Sequence, residues 1–250
     1  MRDHPTGGVS CPRRGSRIPA SWSPAVRRSV LALLLLPLPA RALSLSDLSN
    51  ADTVAGLREA LTQGATRAVA LLGRTDGFLA NSKVRIPLPD GIRRVERVLR
   101  ATGMGRQTDE LITAMNRAAE AAVPQAQSLL VGAVKSMTVT DAKAIVTGGD
   151  DSATRYFRGR TAGELTRRFQ PIVRRLTDQA QLAQQYDQLA GQAAGLGLVR
   201  KDDSTIDGYV TRKALDGLYT MIAEEERAIR RNPASAAGKA ARRVFGTLGR

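Results

Sequence analysis

The side chains that could do chemistry after residue 42 are carboxylates, hydroxyls, amides and basic groups. The single histidine, cysteine and tryptophan of the chain are His4, Cys11 and Trp22. A histidine base, a thiolate nucleophile, a Ser-His-Asp triad and a Cys/His zinc site all need residues that positions 43–250 lack. Catalysis by this part of the chain would therefore have to rest on carboxylates, hydroxyl groups or lysine.

The first candidate site lies on a helix predicted from residue 109 to residue 123. Asn116 and Glu120 are one helical turn apart on it, and Arg117 lies beside them. Asparagine is unfavourable within an alanine-rich helix, which suggests that Asn116 is placed for a polar contact. Arg155 and Tyr156, on a later helix, would complete a polar pocket for a small anionic or sugar-like ligand. The alternative is a hydrogen-bond network between helices that fixes their packing.

The second candidate site is the run of three glutamates at positions 224–226. Because successive helical residues point about 100° apart, the three carboxylates cannot converge on one atom. Glu225 falls closest to the buried stripe of its helix, and a buried carboxylate needs a partner such as an arginine from another helix. Metal binding or acid–base chemistry is the functional interpretation of Glu225. A solvated face with one structural ion pair is the alternative.

The acidic pair Asp150-Asp151 follows two glycines but does not have the spacing of a calcium site. An EF-hand loop needs oxygen ligands at alternate positions, glycine at position six and glutamate at position twelve. Counting from Asp150, those two positions are Arg155 and Thr161. We therefore predict no metal site and no cofactor, and we interpret Asp150 or Asp151 as the cap of a helix.

Helices must position these side chains, because helical periodicity accounts for most of the chain. Runs of β-branched and aromatic residues, which would indicate a sheet, are missing. In the longest segment, Asp207–Pro233, apolar residues recur at three- and four-residue steps, and Glu226 and Arg230 have the spacing of an ion pair across one turn. We predict an all-α bundle of about nine helices, at residues 53–72, 91–101, 109–123, 124–137, 141–146, 150–158, 161–194, 207–233 and 234–248.

One long extended loop, residues 73–90, is predicted between the first two helices. Apolar residues alternate with others from Val84 to Leu88, as in a strand, but Pro87 and Pro89 cannot donate hydrogen bonds to a sheet. The apolar content of the loop argues against disorder. We therefore predict an extended segment laid over the helices.

The first 42 residues have the features of a secretory signal peptide behind an irregular preamble. Arg27 and Arg28 precede a short apolar run from Val30 to Leu36, and small residues flank Arg41 in a typical cleavage site. We expect cleavage near Ala42 and a periplasmic mature protein.

Residues 43–250 are expected to form a single all-helical domain, with possible halves at 43–195 and 205–250. Once the seven arginines and one aspartate of the first 42 residues are removed, 31 basic and 22 acidic residues remain, a net charge of +9. Basic proteins attract nucleic acid, anionic lipid or polyanionic glycan. Export, and aromatic residues that do not interleave with the arginines, argue against nucleic acid. The expected partners are an envelope protein, or anionic lipid or glycan with peripheral membrane contact.

Four long segments carry a resemblance to a known family: DGFLANSKVRIPLPD, DELITAMNRAAEAAVPQA, MTVTDAKAIVTGGDDSATRYFR and DGYVTRKALDGLYTMIAEEERAIRRNP. They resemble, in this order, the successive blocks of the bacterial domain-of-unknown-function family 4197, over about residues 44–245. The resemblance implies an exported helical protein of Gram-negative bacteria. It implies no activity and no functional residue, because the family has none assigned.

Together these observations predict a non-catalytic exported helical protein that binds a partner or ligand in the cell envelope. One alternative is a carboxylate-dependent periplasmic hydrolase with a glycan-like substrate. Another is an envelope protein that associates with anionic lipid through the basic segment 230–250. A hydrolase of this kind needs two carboxyl groups facing each other across a cleft, about 5–10 Å apart. If each buried carboxylate is instead bonded to an arginine, a structural role is favoured.

Overall fold

The computed structural model describes residues 50–94, 96–195 and 205–232, together with Arg242. Most of these residues are helical, and none of them forms a strand. The predicted signal peptide at residues 1–42 lies outside the described residues, as does nearly all of the helix predicted at 234–248.

The described part of the chain contains six helices of ten residues or more. They are α1 (Asn50–Leu72), α2 (Gly105–Ala122), α3 (Ala126–Lys135), α4 (Ser152–Gln179), α5 (Leu182–Gly195) and α6 (Ile206–Arg231). The described chain also contains a nine-residue helix, Val139–Thr147, and two single turns, Asp90–Arg93 and Glu96–Leu99. A π-helical turn, Arg100–Met104, and a 3-10 turn, Val123–Gln125, adjoin α2 at its two ends. The predicted all-α class is confirmed, but the prediction of about nine helices is wrong, because six helices build the bundle.

Helix α4 accounts for much of this difference, because it runs through the predicted break near residue 160. Thr161, which was expected to start a helix, lies inside α4, where its hydroxyl donates to the Phe157 carbonyl at 2.7 Å. The same hydroxyl is 2.9 Å from the Tyr219 hydroxyl of α6. Pro171 also lies within α4 and is exposed. The chain turns into α5 only at Gln181, which has a positive φ of 52°.

The predicted helix from residue 91 to residue 101 is divided. Its residues form the two single turns and enter a wide turn at Arg100–Met104. Gly103 in that turn has a φ of 89°, which glycine adopts without the steric cost that a side chain brings.

Helix α6 occupies the centre of the bundle, where it packs against α1, α2 and α4. Buried residues therefore lie on several sides of α6 rather than on one stripe. The aromatic side chains of Phe78, Phe157, Phe169 and Tyr219 are almost completely buried in one continuous hydrophobic core. Burial of this apolar surface is the main stabilising contribution to the fold.

Residues 73–89, which we call the clasp, contain neither helix nor strand and lie over the bundle. Val84, Ile86 and Leu88 are buried, which agrees with the alternation in the sequence. Phe78 packs so closely on α6 that a Cβ atom at Gly217 would lie 2.6 Å from its ring. Only glycine fits at position 217, so the clasp and α6 are matched in shape.

Candidate functional site

Asn116 joins α2 to the clasp and is fully buried. Its side-chain oxygen accepts a hydrogen bond from the Ile86 amide at 2.8 Å, and its side-chain nitrogen donates to the Ile86 carbonyl at 2.9 Å. The nitrogen also donates to the Ile112 carbonyl at 2.7 Å. Asn116 thus gives Ile86 the pair of hydrogen bonds that a neighbouring strand would give, and both of its N–H groups are used.

Glu120 holds the first part of the clasp, and its side chain is only 6% exposed. Its Oε1 accepts hydrogen bonds from the backbone amides of Phe78 at 3.0 Å and Leu79 at 3.1 Å. Its Oε2 pairs with Arg117 at 2.7 Å, and Arg117 reaches on to Asp76 in the clasp, also at 2.7 Å. The carboxylate therefore neutralises an arginine and satisfies two amides that would otherwise be buried without partners.

Arg155 and Tyr156, the other two members of the predicted pocket, make their hydrogen bonds elsewhere. The Tyr156 hydroxyl donates to the Ala133 carbonyl of α3 at 2.8 Å, and burial is the main cause that raises its pKa. Arg155 pairs with Asp151, one turn before it. The structure thus brings Asn116, Arg117 and Glu120 of α2 together around the clasp. It places Arg155 and Tyr156 near the N-terminus of α4, where they bind other partners.

Among the three consecutive glutamates, the deeply buried one is Glu226 and not Glu225. The Glu225 side chain is 25% exposed and lies 3.8 Å from Arg67 of α1, whereas the Glu226 side chain is 3% exposed. Glu225 does have the expected arginine from another helix. The expectation that it is the buried member of the run is wrong, because α6 is covered by α4 on the side that carries Glu226.

Glu226 caps the N-terminus of α4 from a different helix. Its two oxygens accept from the backbone amides of Ala153 and Thr154, both at 2.9 Å, and from the Thr154 hydroxyl at 2.9 Å. Arg230 pairs with Glu226 at 2.9 Å, so the predicted ion pair across one turn is confirmed. Asp151 precedes α4 as predicted, but its side chain caps no backbone amide. Glu226 therefore places a negative charge directly on the amides at the positive end of α4.

The described surface also carries a groove of about 970 Å³ between the outer face of α2 and the C-terminal end of α4. We call it the α2 groove. Its floor is apolar, formed by Ala114, Ala118 and Ala121 of α2 with Leu176 and Ala180. Charged and polar side chains surround this floor: Arg106, Asp109, Glu110, Thr113, Arg117 and Gln179.

The charges at the edge of the α2 groove are held in ion pairs. Asp109 pairs with Arg100 at 2.6 Å, and this contact holds the pKa of the Asp109 carboxyl below its ordinary value of 3.8. Arg106 lies 3.8 Å from Glu110. A partner entering the groove would therefore meet an apolar floor and an edge of paired charges.

Within the ranges that the structure describes, no group of three or more His, Cys, Asp and Glu side chains is arranged to hold a metal ion. No helix in them is both long enough and apolar enough to cross a membrane.

A family model described as "Protein of unknown function (DUF4197)" matches residues 47–246. The chain belongs to this family. The match confirms the resemblance carried by the four sequence segments, and it includes the clasp, both buried carboxylates and the α2 groove. No curated protein and no solved structure matches the chain. Membership of DUF4197 assigns no activity to the chain.

Proposed function

We propose that this DUF4197 protein is an exported, non-catalytic protein of the cell envelope that binds a partner protein through the α2 groove. The observation that carries the proposal is the state of the two buried carboxylates. Glu120 and Glu226 each accept two backbone amides and each pair with an arginine.

Carboxylates in this state are poor catalysts. A general base or nucleophile must direct a free oxygen lone pair at the substrate. In Glu120 and Glu226, backbone amides and an arginine already occupy the carboxylate oxygens. Both groups instead fix local structure, the clasp in one case and the start of α4 in the other. This supports a binding role over the carboxylate-dependent hydrolase.

The α2 groove supports binding of an amphipathic helix from the partner. Alanines at positions 114, 118 and 121 recur along one face of α2 and leave a shallow apolar floor. Small side chains let the backbone of a second helix approach closely, and an apolar helix face fits a groove bounded by charged residues. The paired charges at the edge favour a partner with both signs of charge beside its apolar face.

Site-specific photo-crosslinking in intact cells tests this proposal. A photoreactive residue at Thr113 or Ala121, both exposed and both lining the groove, is expected to trap one discrete partner. Thr220 and Ala70 are exposed threonine and alanine residues that do not line the groove, so they are matched controls. The trapped segment, made as a peptide, should then bind the purified protein and should lose affinity when Ala121→Trp fills the groove.

Three results would overturn the proposal. The control positions could give the same adducts, Ala121→Trp could leave peptide affinity unchanged, or the protein could hydrolyse glycan with loss of activity in Glu120→Gln or Glu226→Gln. Export is tested separately by N-terminal sequencing of the protein from the periplasmic fraction. Cleavage near Ala42 is expected there, and recovery of an intact leader in the cytoplasm would contradict export.

A further inference from the structure

A second concave surface lies at the opposite end of α4 from the α2 groove. It is a cleft of about 440 Å³ where the end of the Val139–Thr147 helix meets the last turns of α6. We call it the arginine cleft. Among the described residues that line it, three are arginines, Arg227, Arg230 and Arg231, and one is acidic, Asp150.

Arg230 builds the wall of this cleft. Its side chain is 11% exposed, and its guanidinium donates to Glu226, to the Ser152 hydroxyl at 2.7 Å and to the Ile145 carbonyl at 2.9 Å. These contacts neutralise Arg230 and fix its position. Glu226 itself already occupies the backbone amides at the N-terminus of α4. These amides are therefore not available to a ligand in the cleft.

Arg227 and Arg231 remain available to a ligand. Arg227 is one-third exposed, and among the described residues its guanidinium forms one ion pair, from Nη2 to Glu224 at 2.6 Å, which uses one of its five donors. Arg231 is exposed and forms no ion pair with the residues that the structure describes. Two guanidinium groups one turn apart on α6 thus border a space large enough for a small ligand.

The described lining of the cleft has a surplus of positive charge, because it holds three arginines and one aspartate. Such a surplus raises the local concentration of anions, and arginine matches the oxygens of phosphate with parallel hydrogen bonds.

We propose that the arginine cleft binds a phosphate group, with Arg227 and Arg231 as its donors and Arg230 as the positioning residue that holds the wall. The proposal does not depend on the α2 groove. The phosphate would come either from a lipid headgroup or from a soluble phosphate ester, and the experiment separates these two sources.

Binding is measured with the purified protein at low salt, by calorimetry with glycerol phosphate and by sedimentation with phosphatidylcholine vesicles with or without phosphatidylglycerol. The double variant R227Q/R231Q is expected to lower affinity about tenfold or more. The matched control is R174Q/R175Q, which removes the same charge from two exposed α4 arginines without an ion pair among the described residues, and it is expected to change affinity less than about twofold.

Loss confined to R227Q/R231Q supports the proposal. Binding of glycerol phosphate without binding of anionic vesicles identifies a soluble ester; binding of anionic vesicles identifies a lipid headgroup, whether or not glycerol phosphate competes. Equal loss in both double variants would overturn the proposal in favour of unspecific charge attraction, as would a wild-type protein that binds neither probe. If R227Q/R231Q does not fold by circular dichroism, R231Q alone is decisive, because Arg231 supports no described contact, and unchanged affinity in R231Q would then overturn it.

Discussion

At the scale of single residues, two adjacent glutamates of α6 contribute unequally to the stability of the fold. Glu226 satisfies two amides at the start of α4 and neutralises a buried arginine. Glu225 lies at the surface in a long ion pair. A buried carboxylate with several partners is costly to remove because its partners are then left buried and unpaired, whereas an exposed pair contributes little.

The pair Glu226→Gln and Glu225→Gln tests this difference with the same chemical change at neighbouring positions. We expect Glu226→Gln to lower the free energy of unfolding by about 3 kcal/mol and Glu225→Gln to change it by less than about 0.5 kcal/mol. Urea denaturation followed by circular dichroism measures both values. Similar effects of the two substitutions would contradict the assignment of Glu226 as the cap of α4.

The sequence pattern correctly predicts the ion pair between Glu226 and Arg230, but it wrongly predicts that Glu225, and not Glu226, is the buried glutamate. Periodicity defines one buried stripe, and Glu225 is closest to it. A central helix such as α6 is covered on several sides, so residues outside the stripe are buried as well. Which of them is buried depends on where α4 crosses α6, and that information is held in the packing of distant segments.

Glu224, the third glutamate, predicts a pH dependence of stability. Hydrogen bonds from Lys83 of the clasp and from Arg227 lower the pKa of its carboxyl from 4.5 to about 2. The folded protein therefore keeps this carboxylate charged at pH values where the unfolded chain protonates it. The stabilisation is complete above about pH 4.5 and is lost as the pH falls towards 2.

We expect the free energy of unfolding to fall less in Glu224→Gln than in the wild-type protein between about pH 6 and about pH 3. Glu59→Gln, at an exposed position of α1, controls for the loss of one carboxylate. Urea denaturation at the two pH values gives the comparison. If Glu224→Gln and the wild-type protein lose the same stability on acidification, the Lys83–Glu224 contact does not stabilise the folded protein in solution.

At the scale of elements, α4 continues where local sequence signals favour a break. Gly159 lowers helix propensity, and Thr161 with Glu164 has the spacing of a helix start. Tertiary contacts override both signals, because Phe157, Leu165 and Phe169 are completely buried and the Thr161 hydroxyl meets Tyr219. The actual end of α4 has no clear sequence signal, because a glutamine takes the positive φ there.

Two glycines of α4 predict a gain in stability. Gly159 and Gly163 are exposed, and a Cβ atom at either position would meet nothing within 4 Å. We expect Gly159→Ala and Gly163→Ala each to raise the free energy of unfolding by about 0.5–1 kcal/mol, because alanine loses less backbone entropy in a helix.

Gly217→Ala is the matched substitution in α6, and it should lower the free energy of unfolding by about 2 kcal/mol because its methyl group meets Phe78. Thermal denaturation of the three variants is sufficient to rank their stabilities. Destabilisation by Gly159→Ala would indicate that α4 is not a continuous helix at this position.

At the scale of the whole molecule, the clasp joins elements that are far apart in sequence. It is bonded to α2 through Asn116 and Glu120, and to α6 through Lys83 and the Tyr209 hydroxyl, which donates to the Pro87 carbonyl at 3.0 Å. Burial raises the pKa of Tyr209 to about 12, so this donor keeps its proton at ordinary pH. Loop length and apolar alternation predict an extended segment but not its partners. The sequence of α2 indicates that Asn116 and Glu120 make polar contacts, in a packing network between helices or in a ligand pocket, but it does not indicate that the clasp supplies them.

The hydrogen bonds that hold the clasp predict slow amide hydrogen exchange in it, although the clasp has no regular secondary structure. The amides of Phe78, Leu79 and Ile86 are hydrogen-bonded to buried side chains of α2, so we expect peptides from residues 78–88 to exchange as slowly as peptides from α6. Asn116→Ala removes both bonds to Ile86 and should speed exchange around that residue about thirtyfold, corresponding to about 2 kcal/mol.

Thr113→Ala, on the exposed face of the same helix, is the control and should leave this exchange unchanged. The measurement distinguishes two ways in which the clasp can open. If it opens only when the whole bundle opens, its amides exchange as slowly as those of α6 in the wild-type protein, and Asn116→Ala speeds exchange in the clasp alone. Rapid exchange of residues 78–88 in the wild-type protein would instead mean that the clasp opens on its own, and Asn116 and Glu120 would then be exposed to ligands as the sequence first suggested.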